Sequence, residues 1–254
     1  MRTYVSAGGS LYASKNSSLL SSDGRKLPDF CLADVFGVSY EGEVSQPISY
    51  VAPSAGQEAL FHPFSKQYPS TLRDTQTKVK PHPGAQVLAT ITLPFTDPRG
   101  TPYASILTDP PGEQTDFPAV VLNHYGEGRV IYAAGKIETW NHDTQRPIFV
   151  NLLRLLASQP FAFEAQAPKP VEIMMFEQPD DHRLVINLLN FQDELPNVPI
   201  NGITLTITMD RRTPRRVVTL PEGQPVQFTV NDDFVEFTAP RLDNYLTLAV
   251  EYAG

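Results

Sequence analysis

The chain has 254 residues, 41% of them hydrophobic, enough for two modest domains or one large one. Its net charge of −8, with neither half basic, argues against nucleic acid or an anionic membrane surface as a partner. A single cysteine, Cys31, excludes an internal disulfide and a Cys-rich zinc module, and no stretch approaches the roughly 18 apolar residues of a membrane span.

The first elements read like the middle of a domain. Met1 to Ser14, MRTYVSAGGSLYAS, gives the last turn of a helix, a Gly8-Gly9 stop and a short apolar run (Leu11, Tyr12, Ala13) suited to a covered parallel strand. The expectation is therefore of a sheet whose first strands lie before residue 1. Ser21 to Gly24 is a turn signal, and Pro28 and Asp29 open a short helix through Phe36 that Gly37 stops. Residues 45 to 84, rich in Pro, Ser, Gln and His, read as short strands and long loops. Gln86 to Leu93 is a strand; Pro118 to Leu122 and Arg129 to Ala133 form a hairpin through Gly126 and Gly128. Ile148, Leu152, Leu155 and Leu156 recur at helical spacing behind Pro147 and predict a helix ending before Pro160. Phe161 to Pro170 reads as an extended linker. Beyond it the period becomes two: Ile203, Leu205, Ile207 and Met209 alternate with threonines, and Val226, Phe228 and Val230 repeat the pattern, as do Leu246, Leu248, Val250 and Tyr252. The fold class expected is α/β followed by all-β, with a first domain over 1–160 and a small antiparallel β-sandwich over 168–254.

The richest polar cluster is Glu138-Thr139-Trp140-Asn141-His142-Asp143, after the Arg129 to Ala133 strand. Ligands in α/β sheets bind beyond the carboxyl ends of strands, and this loop leaves one such end. Trp140, the one tryptophan, is a candidate for stacking on a sugar, with Asn141 and His142 as hydrogen-bonding partners. Glu138 and Asp143 are the candidate catalytic carboxylates, although no acidic pair stands out by context as glycoside hydrolysis requires. The alternative is a structural loop anchored by Trp140, with Asp143 or Thr144 capping the following helix. Cys31, between Phe30 and Leu32, reads as a small buried hydrophobe before it reads as a nucleophile. Arg211, Arg212, Arg215 and Arg216 read as a solvated turn in preference to an anion site. The five histidines are scattered without metal-ligand spacing, so no metal and no cofactor is expected.

Several of these stretches together resemble a known family. YVSAGGSLYAS followed by SSDGRKLPDFCLADVFGV is similar to the β-galactosidase trimerisation-type domain. That domain is a glutamine-amidotransferase-like (flavodoxin-like) module behind the catalytic barrel of β-galactosidase-like and α-fucosidase-like glycoside hydrolases. VVLNHYGEGRVIYAAGKIE and NLLRLLAS resemble its closing hairpin and last helix, while RLVINLLNF and FTAPRLDNYLTLAVEY resemble the C-terminal sandwich. The match is weakest between residues 45 and 115. The resemblance implies a truncated flavodoxin-like domain, and a barrel, absent here, that supplies both catalytic carboxylates. Where amidotransferases carry a nucleophilic cysteine, this sequence has Ser14, Lys15 and Asn16.

The function expected is thus a non-catalytic accessory and oligomerisation portion of a glycoside-hydrolase-like protein in carbohydrate metabolism. Its partner would be itself, as a dimer or trimer, or a barrel-containing glycosidase chain, with an oligosaccharide as the possible small ligand. Lacking a basic-then-apolar leader, it is expected in the cytoplasm. The alternatives are a small stand-alone glycosidase or a carbohydrate-binding module using the Trp140 loop.

Overall fold

The computed structural model describes residues 1–97 and 109–254. They divide into two units, Met1–Ser158 and Gln159–Gly254, each with an apolar core of its own.

The first unit opens on α1 (Arg2–Ser6), which ends as the glycines require: Gly8 sits at φ 102° and the Gly9 N–H donates to the Tyr4 carbonyl at 3.0 Å. The chain then runs through β1 (Ser10–Ser14), α2 (Ala33–Phe36), β2 (Val38–Glu43), β3 (Ser49–Pro53), β4 (Ser70–Leu72) and β5 (Thr77–Pro81). It continues with β6 (Gln86–Pro94), β7 (Pro111–Tyr125), β8 (Gly128–Ala133) and α3 (Arg146–Leu156). Among the described residues the main sheet has the order β1-β8-β7-β6-β3-β4, and β2 pairs with β5 in a separate ribbon. Within the main sheet β1 and β8 run parallel, whereas the other neighbours are antiparallel.

That pattern corrects the expectation for the first domain, which is mostly β. The apolar runs of β6, β7 and β8 are covered on both faces, and such runs read alike in parallel and antiparallel sheets. Ile148, Leu152 and Leu156 of α3 bury one face, and the Phe149 ring meets Tyr12 edge-on at 5.1 Å. On the other face Phe36 of α2 stacks on Tyr132 at 5.6 Å, with Phe30 beside both. The β7–β8 hairpin turns at Gly126, φ 61°, as its glycines predict. Gly128 is fixed by crowding, since a Cβ there would meet the Val5 carbonyl at 2.1 Å.

Three local expectations change. The helix expected from Pro28 begins only at Ala33, because the Asp29 carboxylate accepts from the Phe30 and Tyr40 N–H groups and holds the preceding stretch in a turn. Cys31 falls in that turn and is exposed rather than buried. At the start of α3 neither Asp143 nor Thr144 caps: the N-cap residue is Gln145, whose amide instead donates to Ser70 Oγ and the Thr71 carbonyl.

The second unit is a β-sandwich built from β9 (Phe163–Gln166), β10 (Val171–Gln178), β11 (Arg183–Asn190), β12 (Thr204–Thr208) and β13 (Pro214–Leu220). It is completed by β14 (Pro225–Val226), β15 (Phe228–Asn231), β16 (Phe234–Thr238) and β17 (Tyr245–Tyr252). One sheet has the order β10-β11-β17-β13-β14 and the other β15-β16-β12-β9, all antiparallel. Ile186, Leu188, Leu248 and Val250 of the first pack with Leu205, Ile207, Val235 and Phe237 of the second. The stretch read as a linker contains β9, an edge strand on β12. The run from Val226 to Val230 is split at Gln227, so that β14 and β15 belong to different sheets. The four arginines do not gather into an anion site, for Arg212 pairs with Glu177 at 2.7 Å and Arg216 with Glu251 at 2.6 Å. No helix among the described residues is long and apolar enough to cross a membrane.

Candidate functional site

The parallel pair β1–β8 sets the geometry of the candidate site, because both strands end at the same edge of the first unit. Tyr12 and Ser14 lie two apart on β1 and therefore share a face. Both hydroxyls reach one side chain: Tyr12 donates to Glu138 Oε2 at 2.8 Å and Ser14 to Glu138 Oε1 at 2.7 Å. Glu138 is presented by a single 3₁₀ turn, Ile137–Thr139, whose Ile137 is buried in the core. Burial, with Glu138 second, pushes the Tyr12 phenol well above the ordinary tyrosine value, so it stays protonated and donating.

Directly after β1 the backbone turns sharply. Lys15 takes φ 49°, a left-handed conformation that costs a non-glycine residue about 1 kcal/mol or more. It is held there from three sides. Its N–H donates to the Ala133 carbonyl at 2.8 Å, and its carbonyl accepts from the buried Tyr132 hydroxyl at 2.7 Å. Its Nζ meets Asp74 Oδ1 at 2.7 Å. Lys136, entering from the end of β8, lies 3.9 Å from Asp74 Oδ2. Partial burial alone would raise the Asp74 carboxyl. The Lys15 ammonium, the Thr75 N–H and Lys136 outweigh that and hold it below the usual carboxylate range. Gly135 makes the close approach of this loop feasible, since a Cβ would meet Leu72 Cδ2 at 2.2 Å.

The remaining predicted residues lie further along the loop. Trp140 is half-buried against the core of the unit, and its buried indole Nε1 has no hydrogen-bond partner among the described residues. Asn141 is exposed and engaged in polar contact. His142 organises the approach to α3: Nδ1 lies 2.9 Å from Thr144 Oγ1, and its carbonyl accepts from the Gln145 and Arg146 N–H groups. Asp143 is exposed and lines a shallow cleft along α3 with Arg146, Asn151 and Arg154. The loop thus separates the two candidate carboxylates. Glu138 is tied to β1, Asp143 faces the outer side of α3, and among the described residues no hydrogen bond joins them.

Tyr12, Ser14, Lys15 and Asp74 are the members that sequence reading did not single out as a site. Tyr12 and Ser14 carried a weak signal, their i, i+2 spacing on a strand ahead of a turn. Asp74 carried none, as only folding brings it to Lys15 across 59 positions. Chemically the arrangement is a carboxylate accepting one hydrogen bond at each oxygen, near a Lys–Asp–Lys cluster, which suits fixing a loop and hydrogen-bonding a polar ligand. Among the described residues no group of three or more His, Cys, Asp or Glu side chains is placed to hold a metal ion.

No protein-family model matches the sequence, and no curated protein matches it. Solved structures do. The chain is similar to α-L-fucosidase isoenzyme 2 from Paenibacillus thiaminolyticus at 18% identity and a TM-score of 0.76, covering 99% of this chain and 38% of that one. It is also similar to the β-galactosidase from Rahnella sp. R3, at 19% identity and TM-score 0.58, covering 99% of this chain and 30% of that one. The β-galactosidase from Bacillus circulans sp. alkalophilus gives 15% identity and TM-score 0.59, covering 98% and 30% respectively. The chain spans roughly a third of the length of these enzymes. What it shares with them is a fold, over nearly the whole length of this chain and about a third of theirs.

Proposed function

We propose that this chain is the accessory portion of a glycoside-hydrolase-like protein of carbohydrate metabolism, serving assembly and active-site framing rather than hydrolysis. The observation that carries this reading is coverage: the likeness extends over 99% of this chain but 38% of the fucosidase and 30% of the Rahnella galactosidase. The resemblance to a trimerisation-type module points the same way, since it assigns both catalytic carboxylates to a barrel. The candidate carboxylates here give further support. A glycosidase needs two of them facing across the sugar, roughly 5 to 10 Å apart. Glu138 is tied to β1 by a hydrogen bond at each oxygen, and Asp143 lines another surface.

In this reading residues 1–160 are a flavodoxin-like, amidotransferase-related module whose parallel strand–helix part is β1, β8 and α3, and residues 168–254 are the C-terminal sandwich. Among the described residues β1 ends the sheet order and offers a strand edge, a template for a second copy in a dimer or trimer or for a barrel-bearing glycosidase chain. Trp140, Asn141 and His142, leaving the carboxyl end of β8, are the residues for contact with an oligosaccharide. The site is the cytoplasm.

Light scattering on the purified chain at micromolar concentration, paired with assays on aryl β-galactosides and α-fucosides, tests the proposal. A dimer or trimer without turnover is the expected result. A monomer sinks the assembly role. Turnover that copurifies with the chain and vanishes in Glu138→Gln or Asp143→Asn replaces it with the stand-alone glycosidase.

A further inference from the structure

At the opposite edge of the main sheet from β1, the first unit carries a second polar–aromatic concavity. A cleft of 380 Å³ is lined by Tyr50 of β3, Thr71 of β4, Arg73 just beyond β4, Asp109 just before β7, and Phe64 and Tyr68 from the loop before β4. Its size falls within the roughly 300–1,000 Å³ of small-molecule sites, and aromatic walls with a few polar groups are their usual composition.

The loop that supplies Phe64 and Tyr68 is fixed before any ligand arrives. Phe61 is fully buried and anchors it, the Phe64 N–H donates to the Phe61 carbonyl at 2.9 Å, and Ser65 and Tyr68 exchange two hydrogen bonds of 3.1 Å. That small closed turn holds the Tyr68 ring outward, 70% exposed, beside the cleft. The Tyr50 side chain is its counterpart, buried to 5% exposure, with a hydroxyl that has no protein partner among the described residues.

The charges differ from those of a structural cluster. Arg73 and Asp109 both line the cleft, yet neither forms an ion pair among the described residues, and Asp109 has only a 3.5 Å contact from Thr96 Oγ1. Their fields meet at Tyr50, whose phenol burial and Asp109 push up while Arg73 pulls it down. The larger cleft in the sandwich, 780 Å³, is a useful contrast. There Arg212 is closed onto Glu177 at 2.7 Å and Asp233 onto the Arg211 N–H at 2.6 Å, so its polar groups already satisfy one another.

A guanidinium fork and a carboxylate that form no ion pair among the described residues offer donors and acceptors to neighbouring hydroxyl groups, while an exposed aromatic face accepts the C–H side of a flat ring. A carboxylate and a guanidinium lining one cleft disfavour an anion, and a neutral polyol ring suits both groups. We propose that this cleft binds a terminal neutral hexopyranose of an oligosaccharide, with Tyr68 as the stacking face and Arg73 and Asp109 as the hydroxyl-binding pair. The choice of carbohydrate rests on the reading given under Proposed function, at a place distinct from the Trp140 loop.

Titration of the full chain with lactose and with L-fucose, followed by calorimetry or ligand-observed NMR, tests it. Saturable binding of at least one probe is expected. Tyr68→Ala and Arg73→Gln should each weaken it about tenfold or more, the size of effect seen when an anchoring side chain is truncated. Tyr68→Phe, which keeps the ring, should retain binding. No saturable binding of either probe overturns the proposal. So does binding that Tyr68→Ala leaves intact, or a Tyr68→Phe loss as large as that of Tyr68→Ala. Light scattering on the same samples separates the two readings: a monomer that binds sugar sinks only the accessory role, and an oligomer that binds neither probe sinks only the cleft.

Discussion

Two lysines converge on Asp74, and that contact shows how much of the site depends on single residues. Lys15 reaches it at 2.7 Å from a strained left-handed turn, and Lys136 approaches to 3.9 Å. Because the folded carboxyl is held below its unfolded value of about 3.9, its contribution is present above that pH and is lost as the pH falls through the folded value. Asp74→Asn is therefore expected to cost about 1 kcal/mol at neutral pH, a figure discounted for partial exposure. The gap between variant and wild type in urea midpoint should close below about pH 4. A gap that is constant with pH would show that Asp74 acts through packing alone. Glu138 makes a complementary point. Its place in a polar loop behind a strand was readable, but the two hydroxyls that occupy it were not, since their distance along the chain, 126 and 124 positions, hides the pairing.

At the scale of elements, α3 was the most legible. Its apolar residues return every three to four positions, Pro147 fits a helix start, and Ile148, Leu152 and Leu156 are the ones buried. Leu152, with no exposed surface, is packed between α3 and the sheet, so Leu152→Ala is expected to lower stability by about 2–5 kcal/mol. A shift in urea midpoint at unchanged slope would register it; a loss under 1 kcal/mol would mean that the helix packs loosely. Strand direction was far less legible. The apolar stretches of β6, of β7 over Ala119–Leu122 and of β8 are covered on both faces, and nothing in such a stretch says whether its neighbour runs with it or against it. For the same reason Phe163–Gln166 passed for a linker: a four-residue edge strand with prolines nearby has little local signal, and its pairing with β12 creates it.

On the scale of the whole chain, each unit owns a core, one built around β7, β8 and α3 and the other between two antiparallel sheets. Two separable transitions are therefore expected in scanning calorimetry. Leu152→Ala should lower one of them, and Ile186→Ala, at a position with no exposed surface in the sandwich, the other. One transition shifted by both substitutions would instead mean that the units unfold together.

The sequence alone determined what is written locally. The glycine stop after α1, the β7–β8 hairpin, the helix α3 and the change of period from 3.6 to two all depend on residues within a few positions of one another. Tertiary structure decided the rest: which strands are parallel, where β9 and β14 pair, and which side chains surround Glu138 and Asp74. It also decided that Arg73 and Asp109, 36 positions apart, share a cleft without closing on each other. These depend on contacts between distant segments, whose pairing is set by the packing of the whole core and leaves no periodic mark in the chain.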